Sequence, residues 1–305
     1  MYDIAIIGAG PAGMTAAIYA ARKQLGVLVL TKDIGGQTLL SSSVENYLGY
    51  NYISGEELVK KFEDHLNRFD VDIRYESVTT FAREGDAFLI NTDTSREYSA
   101  HTVIIASGKT PRILDVPGED TFMSRGITYC AICDAPLFAG KDVVVVGGGN
   151  SGADAVIQLA KISPKVYLIE ASSSLSADEA LQTKIYAAAN VEIITETEVI
   201  EIKGSTLVES VTVKNKVNGK VSDLRAGGVF IEVGLKPNVS FLPQDISLNN
   251  RDEIIVDKGC RTNIKGVFAA GDVTDVPEKQ IIIAAGEGAK AALSAYDLIV
   301  GKTDP

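Results

Sequence analysis

The chain is 305 residues long and 46% hydrophobic with 9 prolines, enough to bury a large core without cross-links and longer than one core usually grows, so two domains are expected. A net charge of −11 with no Lys/Arg cluster to offset it excludes a surface that tracks phosphate backbones, and nucleic acid is not an expected partner. Strand-like residues begin at Tyr2, leaving no secretory leader, and no apolar run approaches a membrane span, so the expectation is a cytoplasmic protein without a membrane partner.

Residues 3–31, DIAIIGAGPAGMTAAIYAARKQLGVLVLT, read as an apolar strand, the turn Gly8-x-Gly10-x-x-Gly13, an Ala-rich helix and a second strand ending near Thr31. In such a turn the first glycine bends the chain, the second admits a pyrophosphate to the backbone and the third lets helix pack on strand. The helix N-terminus then faces the phosphates. Alternating segments follow in residues 77–100 and predict an antiparallel meander. TVIIASGKTP, residues 102–111, is a closing strand with a Gly/Pro exit, which places a domain crossing near Lys109–Arg112.

GITYCAICDAPLF, residues 126–138, holds two of the three cysteines, Cys130 and Cys133, with Asp134 directly after them. In a reducing compartment Cys-x-x-Cys reads as redox-active or metal-binding. Zinc needs four ligands, and the remaining soft candidates, Cys260, His65 and His101, are scattered without a second paired spacing. No metal is expected and redox chemistry is favoured. Cys260 reads as a small core residue and His65 as part of the solvated face of an amphipathic helix.

Residues 141–170, KDVVVVGGGNSGADAVIQLAKISPKVYLIE, repeat the first unit, with Gly147, Gly149 and Gly152 at the same offsets. A second meander is expected over 197–224, and VFIEVGLKPN, 229–238, marks a return crossing near Pro237–Ser240. Thr31 and Glu170 each lie 23 residues after the first glycine of their unit and therefore correspond. An acid there accepts bonds from both adenosine ribose hydroxyls and repels a 2′-phosphate, which would want arginine. The residues after Glu170, ASSSLSADE, contain none, so NADH is expected in preference to NADPH. The first unit lacks the matching acid, although Asp33 stands two residues on. Two dinucleotide sites beside a dithiol predict an electron path from a nicotinamide through a flavin.

GVFAAGD, residues 266–272, reads as a buried strand that completes one of the two sheets and ends in Gly271-Asp272. Asp272 is placed either to bond ligand hydroxyls or to cap a turn. Residues 280–301 form a closing helix whose N-terminus is set to face the ligand.

With both glycine turns, CAICD and the terminal GD in hand, the whole chain resembles the low-molecular-weight thioredoxin reductases. Residues 129–152, 252–272 and 279–297 are most similar to the flavoprotein subunit of bacterial alkyl hydroperoxide reductase, an NADH-linked relative of that group. The resemblance implies an α/β fold with two Rossmann-like, three-layer ββα domains of the pyridine nucleotide-disulfide oxidoreductase type. Residues 1–109 and 240–305 would form a discontinuous FAD domain, and 110–239 an NAD(P)H domain carrying the cysteines. It implies FAD contacts at Gly8, Gly10, Pro11, Ala12, Gly13, Gly35, Gly36, Gln37, Asn46, Val78, Ser107, Gly108, Gly271, Asp272, Lys279, Gln280 and Ile281. It implies NADH contacts at Gly147, Gly149, Asn150, Ser151, Glu170 and Gly234. The HRRxxxR stretch of NADPH-linked members is replaced by IEASSSLSA, residues 169–177.

By the same resemblance Cys133 would face the flavin, Cys130 would attack a partner's disulfide and Asp134 would move the proton. One domain would rotate on the other so that cysteines and nicotinamide reach the flavin in turn. The chain begins at its first strand, which suggests a separate thioredoxin-like or glutaredoxin-like partner, and the family suggests a homodimer. The leading expectation is therefore a thioredoxin-disulfide reductase. The alternatives are the reductase component of an alkyl hydroperoxide/peroxiredoxin system, a same-fold reductase fed by ferredoxin or a deazaflavin, and a flavin-binding redox sensor.

Overall fold

The computed structural model describes residues 1–301 except 41–43, 45, 124 and 130, and only the backbone of Leu40, Ile132 and Cys133. The chain divides into two compact units, Met1–Thr110 with Lys236–Pro305, and Pro111–Leu235.

In chain order the first unit contains β1 (Tyr2–Ala9), α1 (Pro11–Arg22), β2 (Val27–Ile34), α2 (Gly55–Leu66), β3 (Asp72–Tyr75), β4 (Val78–Glu84), β5 (Ala87–Thr92) and β6 (Glu97–Ile105). After the crossing strand β7 (Lys109–Pro111) come α3 (Glu119–Phe122), β8 (Ile127–Thr128), α4 (Ala131–Asp134), β9 (Val143–Val146), α5 (Asn150–Leu159), β10 (Val166–Ile169) and α6 (Glu179–Ala187). Then follow β11 (Val191–Ile194), β12 (Thr197–Gly204), β13 (Val208–Asn215), β14 (Val221–Arg225), β15 (Gly228–Ile231) and the returning strand β16 (Leu235–Pro237). The first unit closes with β17 (Val267–Ala269) and α7 (Ile281–Ile299).

The first unit's sheet runs β3-β2-β1-β6-β5-β4, with β17 also paired to β6. β6 serves two ladders: its start pairs antiparallel with β5, and its end pairs parallel with β1 and β17. Only Glu76 and Ser77 separate β3 from β4, so the meander folds back over one face of the sheet. That face buries Phe81, Phe88 and Ile90 with Leu28 and Leu30, while α1 and α7 cover the other face. Period-two alternation sorts β1 accordingly: Ile4 and Ile6 enter the helix-side core, Ala5 and Ile7 the meander-side core.

The second unit repeats the three layers. Its parallel sheet has the order β11-β10-β9-β15-β8, and β12-β13-β14 form a separate antiparallel sheet. Val143 and Val145 pack with α5, and Val144 and Val146 pack with Val199, Val211 and Val213 of the meander. Four consecutive valines thus read as a strand buried on both faces, as a parallel sheet between two layers requires. The chain passes through β7 and β16, which pair as a two-stranded ribbon.

Candidate active site

The two glycine turns are built alike. Gly8 and Gly147 have positive φ, +104° and +115°, which only glycine adopts freely. A Cβ on either would strike the strand next door, at the carbonyls of Ala106 and Glu232 respectively. A Cβ on Gly13 or Gly152 would land on the carbonyl of Gly8 or Gly147, so only glycine lets each helix approach its strand. Gly10, by contrast, opens onto free space, as backbone that must receive a phosphate should. Neither α1 nor α5 has a side-chain cap or an acid in its first turn, so their first amides point outward for an anion.

At the strand ends Thr31 Oγ1 accepts from Ala9 N at 3.2 Å, and Glu170 Oε2 accepts from Gly148 N at 2.6 Å. The correspondence counted in the sequence is therefore a correspondence in space. Thr31 is buried and its hydroxyl donates to Asp33 O at 2.5 Å, whereas Asp33 itself is exposed. Glu170 Oε1 accepts from Ser172 N at 2.7 Å, so two backbone amides fix the carboxylate beside the turn. Ser176 N and Ala177 N both donate to Gly148 O, at 2.9 and 3.0 Å, folding the serine-rich segment onto the glycines with Leu175 buried. Asn150 exchanges two hydrogen bonds with Asp178, while Ser151 is exposed and Gly234, at φ +94°, accepts from Arg112 N.

Around the first turn the structure gathers most of the remaining first-unit candidates. Gly35 N donates to Ala9 O at 2.8 Å, and a Cβ on Gly36 would lie 3.7 Å from Gly10 Cα. Gln37 Nε2 reaches Asp272 Oδ2 at 3.5 Å, and Asn46 Nδ2 donates to Gln280 Oε1 at 3.0 Å, just before Ile281 opens α7. A Cβ on Gly271 would lie 3.0 Å from Ala12 Cβ. Ser107 follows Ala106 behind Gly8, and its hydroxyl donates to Asn238 O at 2.8 Å; Gly108 accepts from Asn238 N. Val78 is placed differently, partly buried against the meander-side core.

Burial pushes the Asp272 carboxyl up, opposed by the charges of Lys279 and Lys109. Burial pushes the Lys279 ammonium down, helped by Lys109 and opposed by Glu253 and Asp272. Glu253 is held at about 2: burial works against its charge, but bonds from Lys109 and Asn249 prevail. Its ion pairs are 2.8 Å to Lys109 and 3.5 Å to Lys279. Glu287 of α7, also buried, accepts from Gly271 N at 2.7 Å and so braces the turn that presents Asp272. A glycine cradle, unclaimed helix amides and a buried carboxylate next to a cation suit a flavin dinucleotide.

Cys130 lies outside the described residues, and Cys133 is described by its backbone alone, within α4. Asp134 ends that helix and its carboxylate accepts from the Thr128 hydroxyl. Tyr129, just before Cys130, donates its hydroxyl to buried Glu119 at 2.7 Å, and Glu119 also accepts from Leu114 N and Asp115 N. Glu232, at the end of β15, accepts from Ala131 N at 3.3 Å. No motif in the sequence marks Glu119, Glu232, Glu253 or Glu287, and Lys109 enters it only as a crossing residue; for Glu232, Glu253 and Glu287 the signal is a charge inside or beside an apolar segment, and Glu119 has none. Among the described residues no cluster of His, Cys, Asp or Glu is arranged to hold a metal, and no helix is long and apolar enough to cross a membrane.

Two glycine turns of one build in one chain, with the Cys-x-x-Cys sequence in the second unit, match the class of flavin-dependent disulfide oxidoreductases. The family model described as pyridine nucleotide-disulphide oxidoreductase matches residues 2–288, and the chain belongs to that family, which depends on FAD and a pyridine nucleotide. It is 42% identical over 304 residues to the F subunit of alkyl hydroperoxide reductase from Escherichia coli (strain K12), covering 98% of this chain and 58% of that protein. A Bacillus subtilis (strain 168) protein named NADH dehydrogenase is 39% identical, over 98% of this chain and 59% of its own length. The chain thus spans less than two thirds of these curated relatives. The crystal structure of Lactococcus lactis thioredoxin reductase superposes with a TM-score of 0.88 at 38% identity, covering 99% of this chain and all of that one.

Proposed function

We propose that the protein is an NADH-dependent disulfide reductase of the thioredoxin reductase type. The first unit holds FAD, the second holds NADH, and the Cys130–Cys133 pair passes electrons to the disulfide of a small thioredoxin-like or glutaredoxin-like protein. FAD, when bound, supplies a carrier that accepts a hydride equivalent and gives up two electrons to a disulfide. The chain's own part is to hold, orient and manage protons. The amides opening α1 and α5 bind the two pyrophosphates, Gln37, Asn46 and Lys279 orient the first ligand beside Asp272, and Asp134 exchanges the proton that each thiol gains or loses.

The observation that carries the NADH reading is Glu170: its carboxylate is bonded to Gly148 N and Ser172 N where an adenosine ribose would lie, and the next arginine in the chain is Arg225, exposed at the end of β14. Lys203, a cation of the same unit, is engaged by Glu201 and Asp223. A second reading, a reductase that feeds a peroxiredoxin, is favoured by the likeness to the alkyl hydroperoxide reductase component. The two differ only in the partner.

Anaerobic titration of the yellow protein with NADH and, separately, NADPH, followed by flavin bleaching, is the test. Bleaching by NADH at concentrations where NADPH is ineffective is expected. Bleaching by neither would remove the proposal, and equal bleaching by both would remove its NADH part.

A further inference from the structure

Glu232 is a partly buried acid with an unusual position. It follows β15 directly, its own amide donates to Val146 O at 2.8 Å, and its Cβ lies 3.7 Å from where a Cβ on Gly152 would be. Its side chain extends from the second glycine turn to the cysteine segment, where Oε1 accepts from Ala131 N at 3.3 Å. Burial pushes this carboxyl up, the Ala131 amide opposes, and Asp154 adds to the rise. The charged group that faces it from α5 is Asp154; α4 brings Asp134, whose carboxylate is engaged by Thr128; β9 and its turn bring only valines and glycines. No ion pair with a lysine or arginine among the described residues neutralises Glu232.

We propose that Glu232 is a positioning residue for the dithiol: held between the nucleotide turn and the Ala131 amide, it sets an ionisable charge beside the cysteines and thereby fixes the pH range in which they react. The inference rests on the dithiol reading above. Ala131 follows Cys130 in the chain, so covalent geometry alone keeps the Cys130 sulfur within about 5 Å of that amide. A unit charge within about 8 Å, at an effective dielectric of about 20–40, moves a thiol's titration by about one pH unit, a tenfold change in thiolate fraction. Ionised Glu232 repels the thiolate, so the dithiol reacts only at higher pH; protonated Glu232 releases that restraint.

The test is the pH dependence of alkylation by iodoacetamide at the 126–138 segment, in the FAD-loaded protein reduced with dithiothreitol and desalted. Cys260 will not compete, being buried with its thiol pushed up to about 11. Glu232→Gln keeps an acceptor for Ala131 N and removes the charge. Its alkylation curve should rise about one pH unit earlier than wild type, roughly tenfold faster between the titrations of Glu232 and the thiol, and the two should converge in acid. Asp154→Asn, which leaves Glu232 in place, should move that convergence to lower pH. Superposable curves would overturn the proposal, as would lowered thermal stability with unmoved curves. Because the readout uses no nicotinamide, wild-type flavin that NADH fails to bleach would sink the proposed function without touching this result.

Discussion

The two glycine turns share one wiring and differ at one strand-end residue. In the first unit the amide after the leading glycine is satisfied by a neutral hydroxyl, Thr31; in the second by a carboxylate, Glu170. On the proposed reading the turn itself secures phosphate in both units, and the strand-end residue decides which nucleotide follows. The neighbouring position has adjusted to match. Ala9 stands in the first turn and Gly148 in the second, where a Cβ would sit 2.7 Å from both Glu170 Oε2 and Leu175 Cδ2. The middle one of three consecutive glycines is the room the acid needs.

The comparison can be broken most decisively at the Cys130-x-x-Cys133 pair, which has no counterpart in the first unit. Replacing Cys130 and Cys133 by Ser should abolish disulfide reduction while NADH still bleaches the flavin; loss of both activities would mean the dithiol is structural. Next in size are Gly13→Ala and Gly152→Ala, each placing a methyl on a carbonyl at a cost of about 1–3 kcal/mol. The first should yield protein purified without flavin. The second should stay yellow and lose NADH bleaching at least tenfold, at about 1.4 kcal/mol per decade. Identical effects would show that the units are not separately loaded.

Glu170→Arg should then invert coenzyme preference, weakening NADH roughly tenfold and favouring NADPH, as measured by KM for each in flavin reduction. The smallest effect lies far from the turns, in the first meander, where buried Glu76 accepts from Thr92, Thr94, Arg96 and Tyr98. The Thr92 hydroxyl above all, with Thr94, Tyr98 and Arg96, outweighs burial and holds this carboxyl at about 2 rather than 4.5. A depressed carboxyl stabilises the fold above its unfolded value and loses that contribution as pH falls from 4.5 towards 2. Glu76→Gln should lower Tm at neutral pH and flatten its fall across that window.

Much of this was legible in the sequence because the relevant residues are close along it. Gly8 to Gly13 and Gly147 to Gly152 each lie within one turn, and the match of Thr31 with Glu170 needed only counting. The repeated strand–turn–helix–strand unit and the meander after each followed from apolar runs and alternating segments, whereas the α/β three-layer plan came from the family resemblance. Illegible were contacts between distant residues: Ala131 with Glu232 spans 101 positions, and Lys109 with Glu253 spans 144. No periodicity encodes such pairs, since each depends on where the sheets place unrelated segments. The two meanders also read alike, yet β5 joins the parallel sheet through β6 while β12-β13-β14 stands apart.

The double duty of β6 has a consequence for the order of assembly. Its partner β17 is encoded after the entire second unit, and α7 after that. During synthesis β1 and β6 emerge early, but the edge reserved for β17 stays unpaired until more than a hundred further residues have appeared. The inserted unit, contiguous in sequence, is free to fold in the interval, and the pairing of β7 with β16 then shortens the loop that β17 must close. The late-arriving strand makes the first unit's sheet the slow, high-contact-order step of folding.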